Sequence, residues 1–180
     1  MDTYWEDALP WPAYREALRD KRDLWDAAER RFELRAEERR RLEDLPGPRR
    51  VLVLSEDWCG DAARTVPVIA RALEAAPDVE ARYLPSDAHP GAILGYLTHG
   101  GRSIPMAIVF DGKGRELGAW GPRPAPLQAL FRARLHELGR PAEEAKGEFY
   151  APVMAWYARD RGVTTVQELL VFLERGGEPR

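Results

Sequence analysis

Cys59 is the single cysteine of the chain, and its position suits a reactive sulfur. It follows an apolar run at residues 51–54, and residues 61–76 behind it have the pattern of a helix. A helix N-terminus carries unpaired N–H groups and partial positive charge, which stabilise a thiolate, the nucleophilic form of cysteine. A lone cysteine is more often a small buried hydrophobe. The neighbours Trp58 and Gly60 are not expected in that case, so they favour a functional thiol.

Asp61 can act on the Cys59 thiol in two ways. If its carboxylate faces the sulfur, like-charge repulsion raises the thiol pKa. Alternatively, the carboxylate interacts with first-turn N–H groups of the helix, where acids are common. We expect this second, structural role. Glu56 and Asp57 add further negative charge nearby, so the sequence leaves the net thiolate character of Cys59 open.

Other kinds of catalytic site find little support in the sequence. His89, His99 and His136 are not spaced for zinc, and one cysteine cannot complete such a site, so no metal and no cofactor are implied. There is no phosphate-binding loop of the Walker type. The glycines at 112 and 114 belong to a hairpin turn rather than to a dinucleotide fingerprint, because no strand-to-helix unit surrounds them.

Net charge and hydropathy limit the kinds of partner and location that the sequence predicts. A net charge of −3 gives no general attraction to nucleic acid or to an anionic membrane. The chain has no apolar stretch long enough to span a bilayer, and its acidic first residues do not resemble a secretory signal. With one cysteine no internal disulfide can form, so we expect a reducing, cytoplasmic location.

Hydrophobic periodicity predicts an α/β fold built as β-α-β-α-β-β-α. From the right-handed crossover rule we expect a four-stranded mixed sheet in the spatial order second, first, third, fourth strand, with helices on both faces. The first two strands should be parallel and the last two antiparallel. The predicted strands are residues 50–55, 79–84, 106–110 and 115–120, and the predicted helices are 61–76, 90–98 and 126–138.

Helical patterns flank this core on both sides. We therefore divide the chain into an N-terminal helical extension (1–49), a core (50–138) and a C-terminal helical extension (139–180). After an irregular lead-in at 1–11, helices are predicted at 12–32 and 33–45; in the tail they are predicted at 148–161 and 164–174, with a capping box formed by Thr165 and Glu168. The apolar stripes of these helices suit docking on the core; partner binding, or a homodimer through the tail, is the alternative.

The motif Trp58-Cys59-Gly60 resembles the start of the thioredoxin active-site motif, Trp-Cys-Gly-Pro-Cys. Pro67 lies where thioredoxins have a proline that kinks the active-site helix, and Ile104-Pro105 before a strand resembles their cis-proline loop. The chain is most similar to bacterial single-cysteine members with a Trp-Cys-Gly-Asp motif. The resemblance covers roughly residues 50–138 and implies a thioredoxin-like three-layer fold.

The resemblance also implies a layout for the site. Cys59 would be the catalytic residue, partly exposed and in contact with Pro105, with a cis bond between Ile104 and Pro105. Trp58, Gly60, Asp61, Ile104 and Pro105 would form a groove for an extended substrate, which pairs with the backbone before the proline. The sequence departs from the family at Ala62, which replaces the second cysteine, at Asp61, which replaces the motif proline, and at Val53, which replaces a buried acid.

Because Ala62 cannot resolve a mixed disulfide, the family cycle cannot close within one chain. Whether the chain is an enzyme is therefore left open, with four hypotheses. The first, which we prefer, is thiol–disulfide exchange through Cys59 with a protein or a low-molecular-weight thiol or disulfide as partner. The others are a redox-inactive binding module that uses the Trp58 and Pro105 groove, a regulatory subunit, and an iron–sulfur carrier completed by external thiols.

Overall fold

The computed structural model describes residues 2–98, 100–139, 144 and 146–175. Its centre is a four-stranded mixed sheet in the order β2-β1-β3-β4, with β1 and β2 parallel and the other two pairs antiparallel. The predicted strand order and directions are therefore confirmed. The strands are β1 (Arg49–Ser55), β2 (Val79–Pro85), β3 (Met106–Asp111) and β4 (Glu116–Trp120).

The central strand β1 supplies side chains to both faces of the sheet. Val51 and Val53 belong to the larger apolar cluster, whereas Leu52 and Leu54 belong to a second cluster on the opposite face. All four are fully buried. A strand covered on both faces carries a continuous apolar run, which is why this segment lacks alternation.

Helices on the face of the sheet that carries Val51 and Val53 form most of the core. Helix α5 (Ala62–Leu73) lies there with α2 (Trp11–Ala17), α3 (Arg22–Arg31), α4 (Ala36–Glu43) and α8 (Val163–Leu173). Pro67 lies inside α5, as the sequence predicts. The core that positions the turn after β1 is therefore built from both ends of the chain.

The N-terminal region differs from its prediction in two ways. The predicted helix 12–32 is two helices, because the Asp57 carboxylate accepts hydrogen bonds from the backbone N–H groups of Arg19 (2.8 Å) and Asp20 (3.1 Å) between α2 and α3. The lead-in at 1–11 is also not irregular. It contains α1 (Asp2–Asp7), after which Leu9 forms an antiparallel bridge with Tyr83 on the edge strand β2.

The second face is covered by α1 and by the segment after β2. The helix predicted at 90–98 is wrong: only a 3₁₀ turn, Leu94–Tyr96, is present among residues 90–98 that the structure describes. Gly91 and Gly95 disfavour an α-helix, and Leu94 and Leu97 are exposed rather than aligned on a buried face. His99 lies outside the described residues.

The C-terminal helices are α6 (Ala125–Leu138), α7 (Lys146–Asp160) and α8. The capping box of Thr165 and Glu168 is wrong, because α8 starts after Gly162 without a side-chain cap. The Glu168 carboxylate instead accepts hydrogen bonds from Trp120 Nε1 (2.7 Å) and from the Ala125 N–H (2.8 Å). Glu168 thus ties α8 to the end of β4 and the start of α6.

Candidate thiol site

Cys59 lies in the turn between β1 and α5, against the loop that precedes β3. Its Sγ donates a hydrogen bond to the Ile104 carbonyl at 3.4 Å, and it accepts one from the Ala62 N–H at 3.5 Å. The Ile104–Pro105 bond is cis, as the resemblance implies. The side chain is only 9% exposed, so the expected partial exposure of Cys59 is wrong. The structure brings the sulfur and the proline loop together in a nearly closed site.

The pKa of the Cys59 thiol is raised above its ordinary value. Burial is the largest cause, since it disfavours the charged thiolate, and the Asp61 carboxylate adds like-charge repulsion. The hydrogen bond from the Ala62 N–H and the positive charge of Arg123 act in the opposite direction. The favourable helix N-terminus expected from the sequence is therefore present but outweighed, and the thiol form dominates at neutral pH.

Asp61 does not interact with the first-turn N–H groups of α5, contrary to our expectation. Asp61 is the N-cap residue of α5, but its side chain makes no capping hydrogen bond. One carboxylate oxygen pairs with Arg123 Nη2 at 2.7 Å, and the other accepts a hydrogen bond from the Tyr157 hydroxyl at 2.8 Å. Burial, followed by the Asp61 charge, raises the Tyr157 pKa well above its usual range. These three residues form a polar cluster beside Cys59, which we call the Asp61 cluster.

Arg123 reaches this cluster from a loop that passes very close to the proline loop. Gly121 has φ +137°, and a Cβ added there would lie 2.2 Å from the Pro105 carbonyl oxygen. Only glycine fits this approach. No sequence motif pointed to Gly121, Arg123 or Tyr157 as site residues. The one available signal is the segment 121–124, Gly-Pro-Arg-Pro, which places a charged residue between prolines directly after the last predicted strand.

Trp58 forms the exposed side of the site. Its side chain is 49% exposed, and Nε1 donates to the Asp87 carboxylate at 3.0 Å. The Asp87 N–H in turn donates to Glu56 at 2.6 Å. Trp58 and Ile104 line a small cleft of about 110 Å³ together with Arg102. Of the five residues expected to form a groove, Trp58 and Ile104 line this cleft, whereas Gly60, Asp61 and Pro105 are not among its lining residues.

The other positions singled out in the sequence, Gly60, Ala62 and Val53, are either hydrogen-bonded or buried. The Gly60 carbonyl accepts a hydrogen bond from Arg64 Nη1 at 2.6 Å. Ala62 and Val53 are both fully buried. Among the described residues, no three His, Cys, Asp or Glu side chains lie close enough to hold a metal ion. No helix in that part of the chain is long and apolar enough to cross a membrane.

A protein-family model described as thioredoxin matches residues 8–140. The chain belongs to this thioredoxin-like family. The match includes the segment of α2, α3 and α4 as well as the sheet, the proline loop and α6.

Solved structures show the same fold. A protein of unknown function from Pseudomonas aeruginosa aligns with a TM-score of 0.69 and 18% identity, over 94% of this chain and 93% of that one. An HIV epitope-scaffold protein aligns with a TM-score of 0.61 and 16% identity, over 93% and 99% of the two chains. No curated protein matches the sequence.

Proposed function

We propose that the chain performs single-cysteine thiol–disulfide exchange through Cys59, with an external thiol as the resolving partner. The observation that supports this most directly is the placement of the only thiol between the Ile104 carbonyl and the Ala62 N–H. A thiolate formed there keeps the Ala62 hydrogen bond and gains attraction to Arg123. The site therefore stabilises the thiolate more than a purely apolar pocket would.

The exchange has two steps. The Cys59 thiol loses its proton, and the thiolate attacks one sulfur of a disulfide; a new S–S bond forms, the old one breaks, and the departing thiolate takes up a proton. With Ala62 at the second position, no sulfur of this chain can attack the mixed disulfide. A small thiolate such as that of glutathione or bacillithiol then attacks the partner's sulfur in this mixed disulfide. A new S–S bond forms between the small thiol and that sulfur, the bond to Cys59 breaks, and the Cys59 thiolate takes up a proton.

The partner would lie along Trp58, Ile104 and Pro105. Trp58 offers an exposed aromatic face at the edge of the cleft. An extended chain that carries the target sulfur could pair with the backbone beside the cis-proline, which is a form of strand addition. The lone cysteine favours a cytoplasmic partner, either a protein or a low-molecular-weight disulfide.

The test compares the native chain with Cys59→Ser, which has no thiol at all. The substrate is a peptide carrying a glutathione or bacillithiol mixed disulfide, with the matching free thiol present. We expect the native chain to accelerate reduction above the free-thiol rate and Cys59→Ser to do nothing. Mass spectrometry should detect a long-lived mixed disulfide on Cys59 when the free thiol is withheld. Equal rates for the two proteins would reject thiol exchange.

A second candidate is a redox-inactive binding module that uses the same groove. It is favoured by the burial of Cys59 and by its raised pKa, which leave little thiolate at neutral pH. Selection of displayed peptides against the chain separates the two functions. A binding module should retain its peptides in Cys59→Ser and lose them in Trp58→Ala, whereas thiol exchange should yield cysteine-containing peptides that Cys59→Ser cannot capture.

A further inference from the structure

A cavity of about 270 Å³ lies between α3, α5 and α7, away from the Trp58 cleft. Its walls are mostly apolar, with side chains such as Leu24, Phe32, Val68 and Met154. This volume lies just below the range of typical ligand pockets, which begins at about 300 Å³, so only a small molecule would fit. The cavity has no role in the thiol exchange proposed above.

The charges around this cavity all have one sign. Arg31, Arg64 and Arg161 line it, and no Asp or Glu is among its lining residues in the described part of the chain. Arg31 and Arg161 have no carboxylate partner among the residues that the structure describes. The neighbouring Asp160 carboxylate accepts a hydrogen bond from the Thr164 N–H at 3.2 Å.

The charge of the lining residues determines which ligands the cavity favours. An anion in the cavity would be attracted by all three guanidinium groups. Guanidinium also matches the geometry of carboxylate and phosphate oxygens. The apolar wall beside these groups would cover a hydrocarbon portion of the same ligand.

We propose that this cavity binds a small amphipathic anion, with its acidic group at the arginines and its apolar portion against α3 and α5. Two lining residues also contact the turn that carries the thiol. Arg64 donates to the Gly60 carbonyl at 2.6 Å, and the Tyr157 hydroxyl donates to Asp61 at 2.8 Å. A ligand in the cavity would therefore contact the two side chains that bind Gly60 and Asp61, the residues directly after Cys59.

Ala158 provides a matched pair of variants for the test. It is an exposed residue of α7 that lines the cavity, so a larger side chain there can be accommodated without disturbing the core. Ala158→Glu places a negative charge beside the arginines, and Ala158→Gln has nearly the same shape without the charge. Circular dichroism checks that both variants fold like the native chain.

The probe is octanoate, followed by titration calorimetry, with octanol as its neutral counterpart and inorganic phosphate as an anion without an apolar portion. We expect saturable one-to-one binding of octanoate, at least about fivefold weaker binding of octanol and of phosphate, and about tenfold weaker octanoate binding in Ala158→Glu. Ala158→Gln should stay within about twofold of the native chain, and Arg161→Gln should weaken octanoate binding.

Three results would overturn the proposal. One is the absence of saturable octanoate binding to the folded native chain. Another is equal binding of octanol and octanoate, together with equal behaviour of Ala158→Glu and Ala158→Gln, which would leave only an apolar crevice. The third is phosphate binding as tight as that of octanoate, which would leave a simple anion site. None of these measurements depends on the reactivity of Cys59.

Discussion

Helices α2 and α3 and helices α6 and α7 are attached to the rest of the molecule by different interactions. Tyr14, Leu18 and Trp25 belong to the main apolar cluster together with β1 and α5. In contrast, α6 and α7 bury residues such as Leu127 and Phe149 in a separate cluster of their own. We call this second unit the α6–α7 pair.

The α6–α7 pair reaches the thiol site through polar contacts. Tyr157 of α7 donates to Asp61, and Asp61 pairs with Arg123 just before α6. Apolar burial contributes more to stability than such contacts, and segments with few core contacts open at lower free energy than the whole molecule. The comparison therefore indicates that the pair can separate from Cys59 more easily than α2 and α3 can separate from the sheet.

The largest expected effect lies on the α3 side. Trp25 is fully buried, packs against Trp11 and Tyr14 with tilted rings, and donates to the Asp57 carbonyl at 3.3 Å. Trp25→Ala should lower the free energy of unfolding by about 3–5 kcal/mol, measured by urea denaturation. Trp58→Ala is the control. Because about half of Trp58 is exposed, this variant should lower the free energy of unfolding by well under half as much. Similar losses in the two variants would contradict the assignment of α3 to the main core.

The sequence predicts those parts of the fold that depend on local patterns. The continuous apolar run at residues 51–54 identifies β1, and the spaced leucines of 126–138 identify α6 almost to the residue. The break between α2 and α3 was missed, because it is held by the Asp57 carboxylate, which lies far along the chain. No local pattern reports a partner at that separation.

The candidate site likewise has features that the sequence predicts and features that it does not. The positions of Cys59, Trp58 and the cis bond at Pro105 follow from short motifs that resemble the family. The surroundings of Asp61 do not, because Tyr157 is 96 residues away and Arg123 arrives through a separate loop. Burial of the sulfur was also missed, since it depends on how the proline loop and distant side chains pack around the turn.

Alkaline pH should weaken the main core. Burial raises the pKa of the Tyr83 phenol above its usual value near 10, which the unfolded chain retains. Tyr83 therefore contributes fully below about pH 10, and its contribution is lost as pH rises above that value, by up to about 1.4 kcal/mol per pH unit. Tyr83→Phe should flatten this decline in urea denaturation between about pH 9 and 11. An unchanged slope would contradict a protonated Tyr83 in the folded state.

A smaller and local effect is expected in the α6–α7 pair. Phe149 is buried against Phe131, with ring centroids 4.5 Å apart. Phe149→Ala should ease opening of the pair and accelerate alkylation of Cys59 by about tenfold, which corresponds to about 1.4 kcal/mol of local opening free energy. Hydrogen exchange should increase in α7 but not in α3. A uniform increase over both helices would show that the pair is not a separate unit.

The smallest effect tests the electrostatics at the junction of the two regions. The Asp61 charge raises the pKa of Cys59, and the Arg123 charge lowers it. Asp61→Asn should therefore lower the thiol pKa, because it removes the like charge and leaves Arg123 unneutralised. Arg123→Gln should raise it, and the double variant should lie between the two single variants. The measurement is the rate of iodoacetamide alkylation as a function of pH.

Packing changes could imitate these shifts, so the sign of each shift carries the argument. Loss of the pairing between Asp61 and Arg123 would open the site in both single variants and change the alkylation rate in the same direction at every pH. A charge effect instead moves the midpoint of the pH profile in opposite directions. Arg132→Gln, an exposed site on α6, controls for the loss of a distant positive charge and should leave the midpoint unchanged. Shifts of the same sign in Asp61→Asn and Arg123→Gln would mean that α7 affects Cys59 by covering it and not by its charge environment.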